Sequence, residues 1–326
     1  MPVTDVTTDA EALTMTLEAE FDASVERLWR AFTDPQQLER FWGPPGWPAR
    51  FPQFDFTVGG HARYVMTSPK GEQSWGSWEF LSIDAPRGFT VLDAFANEEG
   101  APLEGMPVMR VVFAFEATAT GSRLVNTTYF ASADALEQVV AFGAVEGSTL
   151  AINQLDLVLH DLREYAAGRG TELEILDDQH VRITRVIRGP RELVWKAHHD
   201  SELLKKWMLG PDGWTMPVAE QAEAVGDTFR NVWVPGPGVE GEEFGFEGEL
   251  LLSDPPRREV STERMIGMDG PGTINDLSFY EEDGVTLLTL VIEYPDKETR
   301  DMILATGMVD GMEASYARLE GVLATV

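Results

Sequence analysis

The stretch FDASVERLWRAFTDPQQLERFW, residues 21–42, decides how the chain folds, because the chain contains it twice. At an offset of 166 it lies over IRGPRELVWKAHHDSELLKKWM, residues 187–208, matching Trp29 with Trp195, Ala31 with Ala197, Asp34 with Asp200 and Leu38 with Leu204. One inserted residue later GPPGW (43–47) meets GPDGW (210–214), and further on SIDAPR (82–87) meets LSDPPR (252–257). Two glycine pairs extend the register at an offset of 164: Gly143 and Gly147 in AFGAVEGSTL, Gly307 and Gly311 in ATGMVDGMEA. Offsets that drift by a few residues are what surface-loop insertions and deletions produce. The chain therefore reads as two copies of one domain, 1–167 and 172–326, joined near AAGRGTE (166–172), whose small and polar residues suit a linker.

Within a copy the order of elements follows from periodicity. LTMTLEAEF (13–21) alternates apolar and polar residues, which predicts a strand with Leu13, Met15, Leu17, Ala19 and Phe21 on one face; VRITRVI (181–187) is its partner in the second copy. Ser24 can cap a short helix carrying Val25, Leu28, Trp29 and Phe32, and Asp34-Pro35 starts a second one, with Asp as cap and Pro at the first helical position. Residues 50–130 hold short strands separated by Gly, Pro and Asn turns, an antiparallel meander that brings the sheet to six or seven strands. A long helix over 133–165 closes the copy, with Leu136, Val140, Gly143, Gly147, Leu150, Ala151, Gln154, Val158 and Leu162 along one face. The expected fold is α+β: two tandem domains, each a curved antiparallel sheet wrapped around a long C-terminal helix, with two short helices after the first strand.

The composition limits what such a protein does. There are 326 residues, 43% hydrophobic, with no apolar run of the ~20 residues a membrane span needs. The start, MPVTDVTTDAEALTM, shows no signal peptide, so a cytoplasmic protein is expected. A net charge of −30 repels phosphate backbones and anionic lipid, so neither nucleic acid nor membrane is an expected partner. Zero cysteines exclude disulfides, thiolate metal sites and cysteine nucleophiles.

A search for catalytic chemistry yields little. His198 and His199 occupy adjacent helical positions that point apart, so no helical metal pair forms, and no metal site or cofactor is expected. His61 follows Gly59-Gly60 at a strand start; its counterpart Thr228 denies the second copy the same group. The acidic stretches GVEGEEFGFEGE (238–249) and YEEDG (280–284) read as solvated loops, the second as a hairpin turn. Arg185 shares strand parity with Val181, Ile183 and Ile187 and is read first as pairing with an acid at the sheet edge, the alternative being a charge presented to a ligand.

What remains is an apolar, aromatic lining. Glycine in a helix interior costs about 1 kcal/mol relative to Ala. Two per helix, opposite aromatic-rich strands, favour a hollow between helix and sheet, a common place for a small ligand. Candidate lining residues in the first copy are Trp42, Trp47, Tyr64, Trp75, Trp78, Phe113, Phe115, Tyr129, Phe142, Gly143 and Gly147. In the second they are Trp207, Trp214, Phe229, Trp233, Phe246, Phe279, Gly307 and Gly311, with Met265 and Met308 beside them. Met265, Met302, Met308 and Met312 are flexible side chains able to fill the second hollow, so the first copy is expected to be the better binder.

The stretches FDASVERLWRAFTDPQQLERFWGPPGW with VGG (58–60), and IRGPRELVWKAHHDSELLKKWMLGPDGW with VGD (225–227), resemble the START/SRPBCC superfamily with its helix-grip fold. Within it the chain looks most like the branch named for homologues of the activator of the heat-shock-protein-90 ATPase. The resemblance covers almost the whole chain as two copies. It implies the fold more than an activity, since the superfamily includes lipid carriers, hormone receptors and polyketide cyclases. Eukaryotic activators carry a separate N-terminal domain with an Asn- and Trp-rich motif, which nothing before Leu13 resembles, so a chaperone partner is not expected. The leading expectation is a non-catalytic binder of a small apolar or aromatic molecule. The alternatives are a cyclase- or hydrolase-like enzyme on a polyketide-type ligand, using His61, Tyr64 or Glu79, and an adaptor or co-chaperone-like interaction module whose two copies act as a rigid unit; separately, the two copies are candidates for an intramolecular pseudo-dimer.

Overall fold

The computed structural model describes residues 2–159, 162, 169–210, 212–268 and 270–325. The chain divides into two units, Met1–Ser68 with Glu72–His160, and Asp161–Val326 with Pro69–Gly71. Of the expected linker, residues 166–168 lie outside the described residues, and Glu172 already opens a strand.

In the first unit the elements run β1 (Val3–Asp9), β2 (Thr14–Phe21), α1 (Val25–Thr33), α2 (Pro35–Leu38), β3 (Ala49–Phe54), β4 (His61–Thr67), β5 (Gln73–Asp84), β6 (Gly88–Ala96), β7 (Val108–Ala117), β8 (Ser122–Tyr129), α3 (Ala133–Ala141), α4 (Ala144–Asn153) and α5 (Leu155–Leu159). The strands form one sheet in the order β1-β2-β8-β7-β6-β5-β4-β3. The second unit repeats this with β9 (Glu172–Ile175), β10 (His180–Ile187), α6 (Arg191–His199), α7 (Ser201–Trp207), β11 (Trp214–Glu220), β12 (Thr228–Pro235), β13 (Phe244–Asp254), β14 (Arg258–Met265), β15 (Thr273–Glu282), β16 (Val285–Glu293), α8 (Lys297–Leu304) and α9 (Met308–Leu323). Its sheet runs β9-β10-β16-β15-β14-β13-β12-β11, the same order strand for strand. No single helix among the described residues is long and apolar enough to cross a membrane.

Local chemistry starts the helices where the sequence places them. Ser24 accepts the Arg27 amide at 3.2 Å and Asp34 accepts that of Gln36 at 2.9 Å, each satisfying an amide the first turn leaves free. The expected alternation of β2 holds: Met15, Leu17, Ala19 and Phe21 are buried, while Leu13 sits in the preceding turn at φ 54°. The 280–284 segment is a hairpin turn, with Asp283 and Gly284 both at positive φ between β15 and β16. The other acidic stretch is only partly a loop, because residues 244–249 begin β13.

Two expectations need correction. Each sheet has eight strands rather than six or seven, because the short edge strands β1 and β9 bury almost nothing and so lack an apolar period. The closing helix is also not continuous. Gly143 and Gly307 adopt φ of 82° and 80°, a left-handed backbone that ends one helix and starts the next. In the first unit α3 and the α4–α5 segment are bent by 61°. The bend turns Val140 and Leu150 outward, whereas Leu136, Ala151 and Val158 are buried as the periodicity requires; Leu162 packs instead with Val186, Val285 and Leu287 of the second unit, and residues 160, 161 and 163–165 of the expected helix lie outside the described residues.

Candidate functional site

Strand pairing assigns the inner face of the first sheet. Ala62 pairs with Trp78, Trp78 with Asp93 and Asp93 with Met109; in the next row Tyr64 pairs with Gly76 and Gly76 with Phe95. On β6 the inner positions are Phe89, Val91, Asp93 and Phe95, so one carboxylate interrupts an apolar alternation. Two donors converge on it: the Tyr64 hydroxyl at 3.3 Å and Trp78 Nε1 at 3.1 Å, both to Asp93 Oδ1. Gly76 makes this arrangement feasible, because a Cβ there would overlap the Tyr64 phenol ring end.

Further rings pack on the two donors. Trp42 meets Trp78 at 4.7 Å between centroids and Tyr64 at 6.2 Å, in both cases nearly at right angles. Phe51 lies 5.3 Å from Tyr64 and 5.6 Å from Trp78. Burial pushes the Asp93 carboxyl up to about 6, with the hydrogen bonds from Tyr64 and Trp78 opposing. Burial, reinforced by Asp93, also raises the Tyr64 phenol. Yet Tyr64, Asp93, Phe95 and Trp42 all keep partial solvent exposure although they face inward. Phe142, at the end of α3, is 65% exposed and lies 6.3 Å from Phe95, so apolar surface continues outward from the site. Beyond the break, a Cβ on half-buried Gly147 would meet nothing within 4 Å.

The remaining first-copy candidates divide by strand parity. Trp78, Phe113 and Phe115 are inner and fully packed. Trp75 points to the outer face, where the Arg63 guanidinium lies 5.5 Å from its ring, and Tyr129 likewise, with Arg110 3.7 Å from its ring centroid. Trp47 is half-buried on the turn before β3, apart from the ring cluster. Phe142 is a surface residue and Gly143 a helix break, so neither lines a helix–sheet hollow as expected. His61 and Glu79 pair across β4 and β5 on the outer face, opposite to Tyr64, so the three do not converge as an acid–base set. An open depression lined by Glu20, Phe21, Asp22, Thr118 and Thr120 lies elsewhere on the unit, and none of the candidate residues lines it.

In the second unit Trp207, Trp233 and Phe279 are core: the Trp207 and Trp233 indoles donate to the Ala197 and Met208 carbonyls at 2.9 and 2.7 Å. Trp214, Phe229 and Phe246 are half-buried; Trp214 packs on Phe244 at 5.3 Å. Gly307 is the helix break, and Gly311 is exposed with open space on its Cβ side. Of the four methionines expected to fill the hollow, Met308 and Met312 pack against Val181 and Ile183, whereas Met265 and Met302 are exposed. Arg185 is buried and pairs with Glu313 at 3.3 Å and Glu320 at 3.7 Å, acids of the closing helix α9 rather than of the sheet edge.

The carboxylate itself escaped notice at the sequence level, although the signal exists. Extending the SIDAPR match sets SIDAPRGFTVLDAF (82–95) over LSDPPRREVSTERM (252–265) and places Glu263 at the position of Asp93. Glu263 pairs with Thr273 as Asp93 does with Met109, and burial raises its carboxyl too, opposed by a hydrogen bond from Asn275. Both units thus hold an acid at the same inner position. Their surroundings differ: Tyr64, Trp78 and Trp42 correspond to Asn231, Gly248 and Met208.

An antiparallel sheet gripping C-terminal helices, with two short helices after its first long strand, defines each unit as a helix-grip domain of the START/SRPBCC class. The chain belongs to the family described as activator of Hsp90 ATPase homolog 1-like protein, whose model matches residues 22–160 and again 188–324. Among solved structures it is similar to a Mycobacterium smegmatis protein, 44% identical over 49% of this chain and 98% of that one, with a TM-score of 0.47. An Arthrobacter aurescens protein is 42% identical over 48% of this chain and 91% of that one, also at 0.47. A Rhodobacter sphaeroides protein is 28% identical over 48% and 100%, at 0.45. No curated protein matches the chain significantly.

Proposed function

We propose that the first unit is a non-catalytic binding domain for a small apolar or aromatic molecule, held between the inner face of β4–β6 and the helices after β8. The observation that carries this reading is the partial exposure of inward-facing Trp42, Tyr64, Asp93 and Phe95. Side chains aimed at the cover of a sheet are sealed when the cover fits, as Leu17, Phe80 and Leu124 are, each at 1% or less. Partial exposure there supports the reading of an accessible hollow. The open space beside Gly147 supports it from the helix side. The outward orientation of His61 and Glu79 separates them from Tyr64, which speaks against an acid–base set made of those three residues.

Titration with N-phenylnaphthylamine, a neutral apolar fluorophore, tests the proposal. Saturable binding that Gly147→Leu weakens, in a variant with an unchanged circular dichroism spectrum, is the expected result. Binding that never saturates, or that Gly147→Leu leaves as it was, overturns it.

A further inference from the structure

We infer that the site in the first unit is built for an organic cation, an aromatic or alkyl amine whose ammonium group lies against Asp93 within the surrounding indole and phenol rings. This rests on the binding-domain reading and narrows it. Three separate observations lead to it.

The first is the carboxylate. Asp93 accepts from Tyr64 and Trp78 on Oδ1 and from the Ala94 backbone amide, all neutral donors, and among the described residues no cation pairs with its charge. A wholly apolar ligand would cover the acid and strip away its remaining water without replacing it, which is costly for a charge. An anionic ligand would add repulsion. An ammonium group donates to the carboxylate and pairs the charge that its neutral donors leave unpaired.

The second is the ring set. Half-buried Trp42 stands at 87° to half-buried Tyr64, so these two rings form adjoining walls rather than a stack, while the packed Trp78 contributes its N–H to Asp93. Cations are attracted to the electron-rich faces of such walls, most strongly to indole, and the attraction grows when water is excluded. The third is the charge of the whole chain, −30, which concentrates cations near the surface and disfavours anions.

The second unit sharpens the assignment. It keeps the acid as Glu263 but has Asn231, Gly248 and Met208 in place of the three rings, and Glu263 is already engaged by Asn275. An acid without rings does not make the same site, so amine selectivity belongs to the first unit.

Calorimetric titration of the full chain with naphthylmethylamine, naphthylmethanol and naphthoic acid tests this at physiological salt, since the three share one ring system and differ in charge. The amine is expected to bind about tenfold or more tighter than the alcohol, and the acid weakest. Asp93→Asn should abolish the amine's advantage while leaving alcohol binding in place. Glu79→Gln, which removes the same charge from the outer face, should keep that advantage. If the alcohol binds and the amine binds no tighter, or if the preference survives Asp93→Asn, the cation assignment is wrong while the apolar site stands. Binding by none of the three overturns the site and the cation assignment together.

Discussion

Replacing Asp93 by Asn should stabilise the protein at neutral and alkaline pH, and the size of the gain follows from its surroundings. An ordinary Asp carboxyl titrates near 3.8, whereas that of Asp93 is pushed up to about 6 by burial. The folded state therefore holds a proton on Asp93 that the unfolded chain has already released. Stability from this group is complete below pH 3.8 and is lost as pH rises to about 6. A shift of about two units at ~1.4 kcal/mol each sets an upper bound of about 3 kcal/mol, and the partial exposure of Asp93 reduces it to roughly 1–3 kcal/mol. Asn keeps an oxygen to accept from Tyr64 and Trp78 without the charge. Urea denaturation followed by tryptophan fluorescence should show variant and wild type equal near pH 4, about the ordinary carboxyl value, and the variant more stable at about pH 8. A variant that is less stable at about pH 8, or a difference that does not change with pH, would refute the reasoning.

His198 should give the second unit the opposite profile. Burial lowers it from 6.5 to about 4, so its stability is present above 6.5 and is lost as pH falls towards 4, by about 3 kcal/mol at most. His198→Phe, which installs the residue found at the matching position Phe32, should flatten that acid loss in the same urea experiment; an unchanged acid limb would count against it. The glycines should separate by sign. Gly147→Ala and Gly311→Ala meet open space and should stabilise by up to about 1 kcal/mol through helix propensity, whereas Gly143→Ala and Gly307→Ala, forced into left-handed backbone, should destabilise by about 1–2 kcal/mol. Melting midpoints that move the same way within a pair would contradict the break at its first glycine.

The sequence by itself determined the features that depend on neighbours along the chain. The repeat, the caps at Ser24 and Asp34, the alternation of β2 and the Asp283-Gly284 turn are local, set by side-chain period and by which residues tolerate a given φ. Parity along β5 also separates Trp75 from Trp78, so the two rings cannot share a face, and reading it would have removed Trp75 from the lining. Other features depended on partners far along the chain. β1 and β9 are strands because β2 and β10 offer free edges, and their own sequences show no apolar face. Gly143 and Gly307 break the helix through a left-handed backbone that glycine permits but does not require; an unbroken helix fits the same periodicity. The role of Asp93 was the least accessible, since it arises from Trp78 fifteen and Tyr64 twenty-nine residues away, brought together by strand register. A carboxylate's charge and affinity are set by the donors and water around it, and only the folded sheet decides which those are.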